Sequence, residues 1–524
     1  MAAVLFLLGA VLLFVTAPHH GEFWWSDAPR HALNGVFVND LVATMPAHPA
    51  AWAMQYYVKY PALTILFYPP LFYVVSAPFY ALLGVSHATA LVVVMVHYFA
   101  LACGLYLLAR CWISPLAAIA VGLAVMAAPG IALWGRQIML EVPSAAFAVW
   151  AVLLMRRHIT DARPGALYLS AFLLLCASYT KITTIFLFPV FALALLVARG
   201  LALFRARHTW IVAGLTLVGI LPLIYLTVTF GGANVQSVTG IPDAAVSRAS
   251  LAGWIWYARQ MPSQLGWPLL ILAILGVPLG LRRLSRSDLV LLGGWFLVGY
   301  LFLSSIDLKE ARHALVILPA ALVAAGLAID VSLPRRVAGP ALLALVIGTG
   351  VYTWREAPTP AVEGYREAAE WIARKAPKDA VVVFSGKRDG SFIFNLRAIE
   401  TRRDIGVLRA DKLLLDVAVR RELGVHERPL SEQEIGDLLD RDGVSYVVAQ
   451  DDYWLDIPVM NRFQSLLRSP HFQEVARIPV IANVNVEDRA LVIYRNQGKV
   501  APGPHIVDLQ LPIIGRQVEG AVGR

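Results

Sequence analysis

The sequence predicts a polytopic α-helical membrane protein of about 11 transmembrane helices, followed by a C-terminal soluble α/β domain. Three observations carry this. Of the 524 residues, 58% are hydrophobic and 15% charged, against roughly 25% charge in an average soluble domain. Residues 1–355 hold 10 acids and 21 bases, whereas residues 356–524 hold 25 and 23. Long apolar runs also stop near residue 355 and give way to alternating helix and strand patterns. The predicted division is a membrane part, 1–355, and a soluble part, 356–524.

A spanning helix needs about 20 mainly apolar residues. The runs that meet this are 2–18, 88–110, 115–133, 138–155, 164–180, 182–203, 209–230, 265–281, 288–304, 313–329 and 337–354. The stretch 69–84 is ambiguous: sixteen helical residues rise only about 24 Å, and Pro69, Pro70 and Pro78 argue against an unbroken span. If 69–84 lies in the interface, the clusters Arg110, Arg156/Arg157/Arg163, Arg199/Arg205/Arg207, Arg282/Arg283/Arg286 and Arg335/Arg336 share one side. That side is expected to be the cytoplasm. The N-terminus is then inside, as a retained first span, and the C-terminus outside; twelve spans is the alternative.

The net charge of +9 resides in the membrane part, where loop Arg and Lys answer the positive-inside rule, so a nucleic-acid partner is not expected. Cys103, Cys111 and Cys176 lie in or beside apolar runs, and the soluble part has no cysteine. The soluble part reads as helix 363–375, strand 380–384, helix 412–423, helix 432–439 and strand 444–449, with a weakly ordered tail from Gly498.

The charged residues that could carry chemistry fall on the predicted outer face. In the aromatic-rich loop 19–87, Ser26 can cap a helix starting near Asp27, with Arg30 and His31 one turn on. Asp27 is either a general base for an acceptor hydroxyl or only a first-turn acid. Lys59 and Tyr60, ahead of Pro61, suit a lipid phosphate or plain interfacial anchoring. Arg136 and Glu141 flank a turn between spans; Glu141 is costly there unless ion-paired with Arg136 or functional, and Lys181 poses the same question. Lys309 and Arg312, with His313, place two cations on one face if helical, suited to a phosphate or to a self-neutralising loop. His19, His20, His31 and His313 show no metal-ligand spacing, so no cofactor is expected, with a divalent cation as the alternative. There is no nucleotide-binding loop.

In order, these segments resemble the GT-C superfamily of membrane glycosyltransferases, specifically the dolichyl-phosphate-mannose protein mannosyltransferases and the lipid A aminoarabinose transferases. The likeness spans about residues 1–355. It rests on Asp27-Ala-Pro-Arg30-His31, Lys59-Tyr-Pro61, Pro69-Pro70-Leu71-Phe-Tyr73, Arg136 to Glu141, and Arg312-His313 before Pro319. Two departures are Glu141 where Asp is commoner and His313 where the family has Tyr.

The resemblance implies transfer of a sugar from a polyprenyl-phosphate donor, with inversion, to an acceptor hydroxyl on a lipid, glycan or protein, among the lipids of a bacterial plasma membrane. The site and the soluble domain would be extracytoplasmic. Asp27 and Glu141 would be catalytic, Lys59, Lys181, Lys309 and Arg312 would hold the donor phosphate, and Arg30, Arg136, Tyr60 and His313 would support them. The rival class is a lipid or glycan transporter. It should show paired half-helices and internal repeats, and neither is evident.

Overall fold

Each apolar run predicted to span is helical in the computed structural model, which describes residues 1–232, 246–417, 421, 424–500, 503–511 and 516–523. After α1 (Ala2–Val15) come three helices within the predicted loop 19–87: α2 (Asp27–Thr44), α3 (Pro49–Lys59) and α4 (Leu71–Leu83). The bundle continues through α5 (His87–Ala109), α6 (Pro115–Ala127), α7 (Pro129–Gly135), α8 (Glu141–Asp161), α9 (Pro164–Thr180), α10 (Leu187–Arg199) and α11 (Arg207–Phe230). It closes with α12 (Leu251–Leu265), α13 (Trp267–Arg283), α14 (Arg286–Ser304), α15 (Leu318–Ser332) and α16 (Arg335–Glu356). A 3-10 segment leads into α10 (Ile182–Phe186) and another into α15 (Ala311–Ile317).

Six helices of the described residues are long and apolar enough to cross a membrane, or seven if the bent pair α6 and α7 counts as one. Helices α1, α4 and α9 are shorter apolar helices. The predicted run 115–133 is not straight: it bends by 60° between α6 and α7, because Pro129 forces Ala128 into an extended conformation (φ −63°, ψ 126°).

Packing follows side-chain size. Trp295, Tyr98 and Phe6 are fully buried in the bundle. At Gly276 of α13, an added Cβ would lie 1.9 Å from the Ala324 carbonyl of α15, so only glycine permits this backbone approach.

Beyond α16 the chain forms β1 (Val362–Glu363), α17 (Tyr365–Lys375), β2 (Val381–Ser385), α18 (Asp389–Arg397), β3 (Gly406–Arg409), α19 (Ala410–Leu414), β4 (Leu415–Val417) and β5 (Val425–Glu427). Then follow α20 (Glu432–Arg441), β6 (Val444–Ala449), α21 (Pro458–Leu467), β7 (Phe472–Pro479), β8 (Ile481–Ala482), β9 (Ala490–Asn496), β10 (His505–Leu511) and β11 (Arg516–Val522). The main sheet runs β3-β2-β6-β9-β7, with β2 parallel to β3 and β6, and β9 antiparallel to β6 and β7. Alternate residues of β2 serve two faces. Val382 and Phe384 join the cluster that includes Tyr365 and Phe392, while Val381 and Val383 join that of Leu439 and Phe463.

Two expectations for this part need correction. The predicted helix 412–423 ends at Leu414 and passes into β4, whose Leu415 to Val417 pair with β5. Residues 418–420, 422 and 423 lie outside the described residues. The tail expected to be weakly ordered forms the β10–β11 hairpin. Its Val507, Leu509, Val518 and Val522 are buried, an alternation of period two that pays for ordering with apolar burial. Residues 233–245 lie outside the described residues, and α12 follows them after a short lead-in.

Candidate active site

The site is built around Arg312, which enters from the 3-10 segment before α15. Its guanidinium meets three carboxylates: Nη2 donates to Asp27 Oδ2 at 2.9 Å, Nε to Glu310 Oε2 at 2.5 Å, and Nη1 lies 3.7 Å from Glu141 Oε1. Trp25 and Trp134 lie beside it, with ring centroids 5.2 and 5.7 Å from the guanidinium carbon, the distance of a cation over an aromatic ring. Planarity and five fixed donors make arginine, not lysine, suited to such a hub.

Helix geometry supplies the acids. Ser26 occupies the N-cap position of α2 but makes no side-chain capping bond, so the expected cap is corrected; Asp27 begins the helix and also accepts Trp25 Nε1 at 3.3 Å. Glu141 likewise begins α8. Both carboxylates therefore stand at the positive ends of helix dipoles. Burial alone would raise the Asp27 carboxyl, but Arg312 first, then His31 and Arg30, hold it down at about 2. His31 is pushed down to about 4, chiefly by burial, so it is neutral at pH 7; its ring contacts Tyr73 Oη at 2.9 Å.

Lys181 closes the cluster, with Nζ 2.5 Å from Glu141 Oε1. This corrects the expected Arg136–Glu141 pair. Arg136 is buried nearby in sequence but donates to the carbonyls of Ala132 at 3.0 Å and Ala357 at 3.3 Å. Glu141 Oε2 is buried without a hydrogen-bond partner among the described residues.

The remaining predicted residues fall around or outside this cluster. His313 Nε2 lies 3.7 Å from Glu310 Oε2. Arg30, one turn along α2 from Asp27, pairs with Asp389 of α18 at 2.6 Å. Lys309 was expected to share a helical face with Arg312, but it precedes the 3-10 segment, and its Nζ donates to the carbonyls of Ser304, at 2.7 Å, and Ile306. Lys59 and Tyr60 are not brought to Arg312. They line a separate cavity of about 180 Å³ with Trp52, Tyr56 and Arg403, and the acids acting on Lys59 are Asp404 and Asp379. The cause is that α3 packs on β3 and β11. Among the described residues no three His, Cys, Asp or Glu side chains gather as a metal-ligand set.

Sequence reasoning did not single out Glu310, Trp25 or Trp134 for the site. The signal for Glu310 was its place two residues before Arg312. The two tryptophans were open to an interfacial reading, because nothing in sequence brings either beside residue 312.

Superposition on ArnT from Cupriavidus metallidurans, solved bound to undecaprenyl phosphate, gives a TM-score of 0.64 over 95% of this chain and 99% of that one, at 16% identity. The fold is that of ArnT. Two further structures share this fold. The arabinofuranosyltransferase AftD from Mycobacteria matches at TM-score 0.56 and 16% identity over 97% of this chain, which spans 40% of AftD. The oligosaccharyltransferase AglB from Archaeoglobus fulgidus, solved with an inhibitory peptide and a dolichol-phosphate, matches at 0.54 and 12% over 88% of this chain and 70% of AglB. Residues 68–226 match the family model of dolichyl-phosphate-mannose-protein mannosyltransferases. No curated protein matches the chain by sequence. The GT-C likeness and the architecture expected from the sequence, a polytopic helical body with a C-terminal region containing β-sheets, are borne out.

Proposed function

We propose that this protein is an integral-membrane glycosyltransferase that moves a sugar from a polyprenyl-phosphate donor to an acceptor hydroxyl, with inversion at the anomeric carbon. The reaction takes place on the extracytoplasmic face of a bacterial plasma membrane. Residues 1–355 form the transferase body and 356–524 an extracytoplasmic α/β domain. The observation that carries this reading is the meeting of Asp27, Glu141, Arg312 and Lys181, from four separate elements, at one place in a glycosyltransferase fold. ArnT and AglB, which share that fold, were solved with polyprenyl phosphates bound.

The chemistry follows from the geometry. Departure of the polyprenyl phosphate leaves negative charge on its oxygens, which Arg312 and Lys181 stabilise. Asp27 accepts the proton of the attacking hydroxyl. With Arg312 beside it, Asp27 is a weak base, held at about 2. A donor phosphate that draws Arg312 to itself loosens that restraint, so Asp27 gains basicity when the donor is in place. Glu141 holds Lys181 and Arg312 in register and offers its unpartnered oxygen to the substrate. Lys59, which lines a separate cavity, and Lys309, bonded to backbone carbonyls, stand apart from the Arg312 cluster.

The test is release of free polyprenyl phosphate by the purified protein in lipid, supplied with a panel of radiolabelled polyprenyl-phosphate sugars. Wild type is expected to release it from one donor and Asp27→Asn from none. Equal release by both would remove Asp27 from the mechanism.

A further inference from the structure

The role of the C-terminal α/β part is the question the reading above leaves unanswered, and α18 supplies an answer. This helix lies against α2 and against the segment just before it. At its N-terminus, Asp389 Oδ1 accepts Arg30 Nη2 at 2.6 Å. At its other end, Arg397 grips Asp40 of α2 with three bonds: Nη2 to Oδ1 at 2.8 Å, Nη2 to Oδ2 at 2.6 Å and Nε to Oδ2 at 3.2 Å. Arg397 and Asp40 are only 1% and 2% exposed. The two pairs have opposite polarity, cation on α2 at one end and anion on α2 at the other. Ten residues of α2 separate Arg30 from Asp40, about 15 Å of helix, and eight residues of α18 separate Asp389 from Arg397, about 12 Å. Pinned at two points with opposite charges, α2 can neither slide along α18 nor turn about its own axis.

The same element holds what precedes Asp27. Arg388 Nε donates to the Trp24 carbonyl at 3.2 Å, Asn395 Nδ2 to the Gly21 carbonyl at 3.1 Å, and the ring of Phe394 meets that of Phe23 edge-on at 5.2 Å. Contact is close at Gly390, where an added Cβ would lie 3.1 Å from Pro29 Cγ and 3.3 Å from Arg30 Cγ. Asp389 follows β2 by four residues and also binds Arg409, the last residue of β3, at 2.7 Å. Arg30 thus docks at the carboxyl ends of parallel strands, the edge at which open α/β sheets receive ligands.

We propose that the C-terminal part is a clamp that sets the position of Asp27, with Asp389 and Arg397 as positioning residues for the transfer. This rests on Asp27 being the base. Arg30 is one helical turn from Asp27, so a shift of α2 at Arg30 is passed to the carboxylate, and a misplacement of about 1 Å costs a reaction about 100-fold.

The experiment uses the full-length protein in proteoliposomes and the variants Asp389→Asn, Asp389→Glu and Gly390→Ala. Hydrogen exchange is followed over residues 27–44, and turnover is measured with undecaprenyl-phosphate sugars. Asp389→Asn is expected to speed exchange in α2 at least tenfold while α5 and α8 keep wild-type protection. It should lower kcat about 100-fold with the donor KM within twofold, and Asp389→Glu should recover much of the loss. Gly390→Ala, which keeps both ion pairs and only widens the contact, is expected to lower kcat several-fold in the same way. Wild-type exchange in both Asp389→Asn and Gly390→Ala, or a loss confined to KM, overturns the clamp. Asp27→Asn with wild-type turnover defeats the base reading instead, and the exchange measurement separates the two failures.

Discussion

Helix α2 carries an aspartate–arginine pair near each end, and the two are built to different standards. Asp40, deep under the C-terminal part, is saturated: Arg397 binds both its oxygens, Tyr56 Oη donates at 2.9 Å and Arg403 lies at 3.3 Å. Asp27 has Arg312 on one oxygen and a long indole contact, its side chain is 19% exposed, and its arginine is shared with Glu141 and Glu310. A pair with every lone pair used and no solvent is a fastening. A pair with spare acceptors, shared partners and access is one that a substrate can enter and rearrange.

That contrast can be broken from either side. The largest effect is expected from Asp27→Asn: turnover falls about 1000-fold, the scale of a lost general base, while stability at pH 7 falls by only about 2 kcal/mol. Asp40→Asn should do the reverse in kind, destabilising by about 3 kcal/mol because the buried Arg397 keeps only the half-exposed Glu400 as a counter-charge, visible as a lowered unfolding temperature and poor yield. Replacing both partners, Asp40→Leu with Arg397→Met, should return much of that stability. Arg312→Lys keeps the charge but loses the fork that reaches three carboxylates, and a loss of about 10- to 100-fold in kcat/KM is expected.

The smallest effect is in pH. The Asp27 carboxyl lies at about 2, below its ordinary 3.8. A depressed acid contributes stability that is present above about pH 4 and is lost as pH falls through about 2, here about 2 kcal/mol. The stability difference between wild type and Asp27→Asn should therefore be constant from pH 7 to pH 4 and shrink below it, as acid titration followed by tryptophan fluorescence would measure.

Much of this molecule is legible in one dimension, and the boundary of what is legible has a physical cause. Apolar runs long enough to be helices announce themselves, as does Asp27 at the start of α2. The proline that bends α6 against α7 is visible, but not the angle. Ion-pair partners chosen by nearness in sequence fail where the chain turns: Arg136 and Glu141 flank such a turn, and Glu141 finds Lys181, 40 residues away. Lys59 stands apart from Arg312 for a related reason, since nothing within α3 says that this helix packs on strands β3 and β11. Asp389 was invisible because its meaning depends on Arg30, 359 residues earlier. The alternation in 505–511 was present in the sequence, hidden behind Pro502, Gly503 and Pro504.

The β10–β11 hairpin bears on how the chain is made. Gln55 of α3 exchanges hydrogen bonds with Ala521 of β11: the Ala521 N–H donates to Gln55 Oε1 at 2.9 Å, and Gln55 Nε2 donates to the Ala521 carbonyl. Helices α2 and α3 emerge before their fastenings at Asp389, Arg397 and Ala521, which follow their partners by 359, 357 and 466 residues. During translation the bundle can insert helix by helix, while the segment bearing Asp27 waits for strands not yet made. Under the proposed mechanism Asp27 is set as the base only after α18 and the β10–β11 hairpin have folded over α2 and α3, so activity follows the folding of the C-terminal part.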